Sequence, residues 1–466
     1  MRPPSCIARP NGSKDRYVSL PTRLMKLLKS RRKRNRPRRS RLSPASQHWR
    51  PAVLQTCQGV SFLDTSHMRL ALLLAFLGTI SVHGDDWPRW RGPDLNGISQ
   101  ETNWTANWPR SGPKRSWHVR VGTGFSSVTV GDGRVYTMGN RSNRDTVYCL
   151  EEETGKELWS HTYRSPAAPR YYEGGPSATP TIDGSTVYTL GRQGDLFALE
   201  ASTGKIRWEK NIAKEIDASY PEWGYSSSPF VTGELLVLNV GTAGVAVKRK
   251  SGDLVWENGG KTSGYSTPHP FVHRGKECLA IFGATAMHAV ETKTGEIQWS
   301  HNWRTAWDIN VAEPIIVERK MFISSGYDRG GALLDITGRK PSVIWDNRNM
   351  RNHFNSCILI DGHLYGFDGN SHRGRAYLAC IDYESGEKKW STARYGYGSL
   401  CAADGKLIVL GARGQLAVAR ASPEGFKPVS EAQVLGGLCW TPPVLANGHL
   451  YCRNSRGDLV RLDLRK

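Results

Sequence analysis

From Val128 onward the chain alternates apolar and polar positions in runs too short for helices. "VTVGDGRVYTM" (Val128–Met138), "PTIDGSTVYTL" (Pro180–Leu190), "ILIDGHLYGF" (Ile358–Phe367), "AADGKLIVL" (Ala402–Leu410) and "PVLANGHLYC" (Pro443–Cys452) share one layout. A period-two run meets Asp-Gly or Asn-Gly, and a second period-two run follows. Both central residues of a type I′ turn need positive φ, which Asn, Asp and Gly tolerate, so each stretch predicts a tight antiparallel hairpin. No amphipathic helical run of ten residues or more follows Ile80. The chain is expected to be all-β.

A longer period overlies the hairpins. "CLEEETGKELW" (Cys149–Trp159) recurs as "ALEASTGKIRW" (Ala198–Trp208), "AVKRKSGDLVW" (Ala246–Trp256), "AVETKTGEIQW" (Ala289–Trp299) and "CIDYESGEKKW" (Cys380–Trp390). Each copy has eleven residues, a small residue first, Gly seventh and Trp last. Trp345 ends a distorted copy and Trp117 an isolated one, and the Trp spacings from Trp117 to Trp390 are 42, 49, 48, 43, 46 and 45. The Thr-Gly or Ser-Gly pair supplies a second turn, since Gly takes the left-handed conformation cheaply. Each period therefore holds four short strands, the size of a propeller blade. Seven units begin near Phe125, Pro176, Ser226, Tyr265, Val311, His353 and Gly396, and the last, Cys439–Lys466, stops before any Trp strand. The strand "RSWHVR" around Trp117 can complete it. The expectation is an eight-bladed β-propeller of four-stranded antiparallel blades, its ring closed by the N-terminal strand so that no sheet edge stays open.

Charge changes the picture only upstream. Of the net +21, residues 1–67 carry +14, from 16 Lys+Arg against 2 Asp+Glu, with no apolar periodicity. "KSRRKRNRPRRSR" (Lys29–Arg41) alone would suggest nucleic-acid binding. The next segment argues otherwise. Met68, Arg69, an apolar core from Leu70 to Ile80, and small residues at Val82 and Gly84 read as a signal peptide, residues 68–84, cut after Gly84. Eleven apolar residues fall short of the roughly 20 that cross a bilayer, so no stable membrane span is expected. A basic arm upstream of an export signal meets no nucleic acid. Residues 1–67 thus read as a mis-assigned start or a removed leader, with a real basic arm as the other reading. The remaining divisions are 85–124, an N-terminal segment with the closing strand, and 125–466, the propeller repeats. Beyond residue 67 the chain holds 63 − 16 = 47 basic and 42 − 2 = 40 acidic residues. That balance is ordinary for a protein surface and points to no polyanionic partner.

The eleven-residue motif resembles the tryptophan-docking repeat of pyrroloquinoline-quinone (quinoprotein-type) propellers. "DDWPRWRGPDLNGIS" (Asp85–Ser99) is similar to the N-terminal signature of exported bacterial propellers of that superfamily. The resemblance implies that Trp117, Trp159, Trp208, Trp256, Trp299, Trp345 and Trp390 are structural, each packing on the small first residue and peptide plane of a neighbouring motif. A large indole against Ala or Cys buries much apolar area, which agrees. For activity the resemblance implies a quinone in the funnel, stacked between a Trp and a disulfide of adjacent cysteines. Calcium would be held by Glu and Asn, with an Asp as base. This chain has no Cys-Cys pair and no haem-attachment motif. Its seven cysteines after the signal, Cys149, Cys278, Cys357, Cys380, Cys401, Cys439 and Cys452, are dispersed. Cys149 and Cys380 occupy the small first position and read as buried thiols; one or two disulfides among the seven stay open.

The loops that lead into the innermost strands are the remaining place for chemistry. Trp223, Tyr225, Tyr265, Trp307, Tyr397 and Trp440 are candidates for a stacking ring around a planar or sugar-like ligand. Asp308, Asn310, Glu313 and Asn355 are candidate oxygen ligands for calcium. The competing expectation is that these residues plug a closed channel and satisfy one another's hydrogen bonds. His353 and His269 read as loop histidines, since no His/Asp/Glu set has ligand spacing. No P-loop, nucleotide-binding Gly fingerprint or nucleophile elbow occurs.

The sequence thus predicts an exported, periplasmic or extracellular, monomeric binding or scaffold propeller with no catalytic residues. It would have a protein or glycan partner in the cell envelope and no nucleic-acid partner. The resemblance supplies a non-enzymatic parallel, the propeller subunit of the outer-membrane β-barrel assembly machinery, although no Cys for a lipid anchor follows residues 68–84 here. The alternatives are a dehydrogenase of alcohols, sugars or polymers using pyrroloquinoline quinone and calcium, and a carbohydrate-binding propeller.

Overall fold

The computed structural model describes residues 86–370 and 375–466. The basic arm, 1–67, and the signal segment, 68–84, lie outside the described residues. The hairpins pair as the alternation requires, and eight blades of four antiparallel strands result, one of them extended by a short parallel fifth strand. Blade 1 runs from Thr129 to Arg164 and blade 2 from Thr181 to Asn211. Blades 3, 4 and 5 follow at Phe230–Glu257, His269–Asn302 and Ile315–Asn347, then blades 6 and 7 at Ile358–Thr392 and Ser399–Gln433. In blades 1 to 7 the four strands are consecutive in sequence and in space. The eighth sheet is composite. Its inner three strands are Val444–Ala446, His449–Arg453 and Asp458–Asp463, and Lys114–Arg120 pairs antiparallel with the last of them.

The asymmetry of burial along each blade follows from its layout. Middle strands such as Arg134–Arg141 and Lys406–Leu410 are packed on both faces by neighbouring blades and are almost wholly buried. Fourth strands, such as Glu157–Arg164, alternate exposed and half-buried positions at the rim. Among the described residues helix is confined to the single turn Ile212–Glu215, capped by the Asn211 side chain. Among the described residues no helix is long and apolar enough to cross a membrane.

The repeated Trp residues join each blade to the next. Six of the seven donate Nε1–H to a backbone carbonyl of the following blade. The acceptors are Glu152 for Trp117, Ala201 for Trp159, Arg249 for Trp208, Thr292 for Trp256, Tyr383 for Trp345 and Ser422 for Trp390, at 2.8–3.1 Å. For five of these six, all but Trp390, the indole face lies on the motif glycine of that next blade. A Cβ on Gly204 would come within 2.6 Å of the Trp159 ring, and one on Gly252 within 2.9 Å of Trp208. The small first residue stands opposite the Trp of its own motif in the strand register. Cys149 pairs across the strands with Trp159 of its own motif, and Ala246 likewise with Trp256.

Trp299 departs from this pattern. In the next blade Gly338 stands seven residues before Trp345, where the other copies have four. The longer turn moves the glycine away from the indole. His273 Nδ1 instead contacts the Ile336 carbonyl at 3.1 Å, and Trp299 Nε1 is buried without a hydrogen-bond partner.

All seven cysteines are buried free thiols, so none of the open disulfide pairings forms among the described residues. Burial pushes Cys149 and Cys278 up to about 11, and Cys357, Cys380 and Cys439 up to about 12.

Candidate functional site

The innermost strands surround the axis, and the backbone just before each of them carries a belt of hydrogen bonds. Ser127 N donates to Thr179 Oγ1 (3.0 Å), Thr179 N to Ser228 Oγ (2.9 Å), and Ser228 N to Thr267 Oγ1 (3.1 Å). In blade 5 a carboxylate replaces the hydroxyl. Thr267 N donates to Glu313 Oε1 (3.1 Å), and Glu313 N donates to Ser356 Oγ (2.9 Å). Glu313 also accepts from the Ser356 hydroxyl through Oε2 and from Trp90 Nε1 at 2.8 Å. Blades 1 to 6 are thereby tied, each to the next, at the same height.

Two residues before the belt position, the side chains turn into a chamber. Phe125, Ser177, Ser226, Tyr265, Val311 and Phe354 occupy this place in blades 1 to 6. Tyr172, Trp223 and Tyr327 come from the intervening loops, and Trp440 from the approach to blade 8. The chamber holds about 160 Å³. Its rings are in mutual contact: Phe125 stacks on Trp440 at 5.4 Å between centroids, Phe354 meets Trp440 at 4.4 Å, and Tyr172 lies 5.5 Å from Trp223. His353, buried beside them, sits edge-on to Tyr327 at 4.7 Å.

The other end of the channel is crossed by the N-terminal segment. Trp87 exchanges backbone hydrogen bonds with Val130 of blade 1, and Pro88 accepts from Ile182 of blade 2. Arg91 donates to the carbonyls of Leu95, Asn96 and, in blade 6, Cys357. Ile98–Ser99 runs parallel to the inner strand of blade 7, pairing with Ala402 and Ala403. Val130, Ile182 and Ala402 lie beyond the chamber along their strands. The segment therefore floors the channel, and its Trp90 reaches up to line the chamber.

The predicted stacking ring divides. Trp223, Tyr265 and Trp440 are on the chamber wall. Tyr225 is buried in the apolar core between blades 2 and 3, and its neighbour Ser226 takes the wall position. Tyr397 lies behind the wall, its hydroxyl accepting from the amides of His353 and Phe354. Trp307 is 66 % exposed and is not a wall residue.

The four calcium candidates do not converge either. Asp308 faces solvent beside Arg304. Asn310 Nδ2 is spent on the carbonyls of Gly283, Ala284 and Trp303, and its Oδ1 accepts from Ser325. Glu313 and Asn355 reach the wall, but Asn355 Nδ2 is held by the Gly398 carbonyl. No group of three or more His, Cys, Asp or Glu that could hold a metal occurs among the described residues. His269 belongs to an inner strand, His269–His273, rather than a loop, and burial pushes its imidazole down to about 4.

Sequence reasoning passed over Trp90, Phe125, Tyr172, Tyr327 and Phe354. For Phe125 and Phe354 a signal existed: both precede a Ser of the belt by two residues, as Tyr265 precedes Thr267. Trp90, Tyr172 and Tyr327 stand outside that register.

The sequence profile described as "Outer membrane protein assembly factor BamB" matches residues 96–175 and 167–392. No protein of curated function matches the chain. Among solved structures, BamB from Moraxella catarrhalis superposes with a TM-score of 0.55 at 17 % identity, covering 75 % of this chain and 97 % of that one. Quinohemoprotein alcohol dehydrogenase from Comamonas testosteroni gives 0.58 at 14 % identity, covering 81 % and 80 %. A europium-containing methanol dehydrogenase gives 0.60 at 12 % identity, covering 81 % and 89 %. At these identities the likeness is one of fold.

Proposed function

The chain belongs to the family described as outer membrane protein assembly factor BamB, a pyrroloquinoline-quinone-repeat propeller family, and on that premise we propose that it is a non-enzymatic binding module of the cell envelope. In this reading residues 68–84 direct export, the protein works as a monomer with a protein or glycan partner, and the Lys114–Arg120 strand fastens the ring.

The observation that carries the reading is the state of Glu313. It is the one carboxylate on the chamber wall among the described residues, and its two oxygens accept from Trp90, Thr267 and Ser356. A calcium ion would need several free oxygen ligands, which this wall does not supply. Pyrroloquinoline quinone is a flat tricyclic acid with three carboxylates, and anions of that kind are held by Arg or Lys. None of the wall residues is Arg or Lys. The chamber is also small beside the roughly 300–1,000 Å³ of sites for drug-sized ligands. These residues do not fit the quinone with its metal.

Titration of the protein with pyrroloquinoline quinone and calcium, followed by absorbance and melting temperature, tests this. No saturable change is expected. A saturable, calcium-dependent shift in both would transfer the weight to the dehydrogenase.

A further inference from the structure

We propose that the aromatic chamber binds the head of a quaternary ammonium compound, an organic cation without N–H groups. The inference rests on the binding-module reading and gives that module a ligand class. Three features of the chamber converge on it.

The wall is made of ring faces and edges. Trp90, Trp223 and Trp440 with Phe125, Tyr172 and Tyr265 come from five different parts of the ring, so they enclose the space from several sides. A methylated cation is attracted by the negative faces of such rings, Trp being the strongest. Trp223 already has a cationic neighbour, since the Arg170 guanidinium at the rim lies 5.5 Å from its ring.

The charge has the right sign. Glu313 is acidic and no wall residue is Lys or Arg. The nearby guanidiniums stand outside the wall, although Arg91 is close enough to Glu313 for their charges to attract and Arg192 close enough to bond the Tyr172 hydroxyl. Arg91 is held by three backbone carbonyls and lines a smaller cavity below. Arg192 donates to the Trp223 carbonyl, and Arg170 pairs with Glu222.

Several of the wall's polar side chains are already hydrogen-bonded. Ser226 Oγ donates to the Tyr265 carbonyl at 3.3 Å and Thr441 Oγ1 to the Phe125 carbonyl at 3.1 Å. Asn355 and Glu313 are bound as described. A sugar or a primary amine needs several donors or acceptors from its site. A quaternary ammonium needs neither. Its selection by rings and one carboxylate fits a wall built mainly of rings, with Ser226, Thr441, Asn355 and Glu313 already bonded.

The test is tryptophan fluorescence of the full chain titrated with choline, and in parallel with 3,3-dimethylbutan-1-ol, which has the same shape with carbon in place of nitrogen. Choline is expected to give a saturable change, with the neutral isostere weaker by about tenfold or more. Trp440→Leu should weaken choline binding by a similar factor, and Trp307→Ala, outside the chamber, should leave it unchanged. Should Trp440→Leu fail to fold, competition by tetramethylammonium chloride against equal sodium chloride on the native chain replaces it. Equal binding of the two isosteres would overturn the proposal in favour of a plain apolar pocket. Binding of glucose without choline would make it a sugar site, and no binding of any probe would make the chamber closed packing. None of these outcomes touches the quinone titration, so the two readings fail separately.

Discussion

Trp90 Nε1 donates to Glu313 Oε1 at 2.8 Å across 223 residues of sequence. The bond ties the segment that floors the channel to the hydrogen-bonded belt that joins blades 1 to 6 around it. One carboxylate thus serves as belt link and as anchor, which is why it stands where the other blades of the belt use Ser or Thr.

Trp90→Phe keeps a ring and removes the donor, so it should destabilise the fold by about 1 kcal/mol. Glu313→Ala leaves the Thr267 amide, the Trp90 indole and the Ser356 hydroxyl without their acceptor, and should cost about 3 kcal/mol. Denaturant midpoints measure both. Equal effects of the two substitutions would show that the carboxylate anchors nothing beyond Trp90.

The indoles make a matched comparison. Trp208→Phe loses the Nε1–H bond to Arg249, whereas Trp299→Phe loses an N–H that has no partner. The first should be the more destabilising by about 1 kcal/mol. Gly252→Ala should also destabilise, by on the order of 1–3 kcal/mol, because its φ is +76° and the new Cβ would meet Trp208 at 2.9 Å. Paired melting curves decide it, and identical curves for the two Trp variants would refute the comparison.

Arg453 joins the last blade to the first. Its buried guanidinium donates to the carbonyls of Ser126, Met138 and Gly122 and to Thr137 Oγ1, at 2.6–3.2 Å. Arg453→Met strands these acceptors where water does not reach and should cost about 3 kcal/mol or more. Hydrogen exchange of the amides in Thr129–Gly131 should rise with it; unchanged protection would mean that the junction does not depend on this side chain.

Acid sensitivity follows from the buried histidines. Burial lowers His288 to about 4, and burial with the Arg91 charge lowers His269 to about 4, from 6.5. A base with a lowered folded pKa binds its proton more readily when unfolded, so this stability is full above about 6.5 and is lost as pH falls toward 4. The loss should be on the order of 2 kcal/mol for His288, which is buried, and less for the half-buried His269. Unfolding free energies at pH 7 and pH 4.5 measure it. His288→Gln should flatten that dependence, and an unaltered slope would remove His288 from the account.

The blade count and the strand pairings were legible in the sequence because both are local. Alternation of apolar residues, a Gly where φ must be positive and a Trp at a fixed distance belong to stretches of eleven residues or fewer. The chamber was only partly legible, because a side chain's direction there depends on a register that one residue reverses. Tyr225 and Ser226 are adjacent, yet the belt bond from Ser228 to Thr267 turns Ser226 to the chamber and leaves Tyr225 in the core. Trp307 and Asn310 share one loop, but Thr305 bonds to Ile309, which leaves Trp307 outside, while Asn310 is drawn in by three carbonyls. Trp90 joins the wall through contacts with Glu313, far away in the chain and invisible to any periodicity. Local pattern settles what each segment becomes; which side chains meet on the axis is settled by hydrogen bonds between blades, and these exist only once the ring has formed.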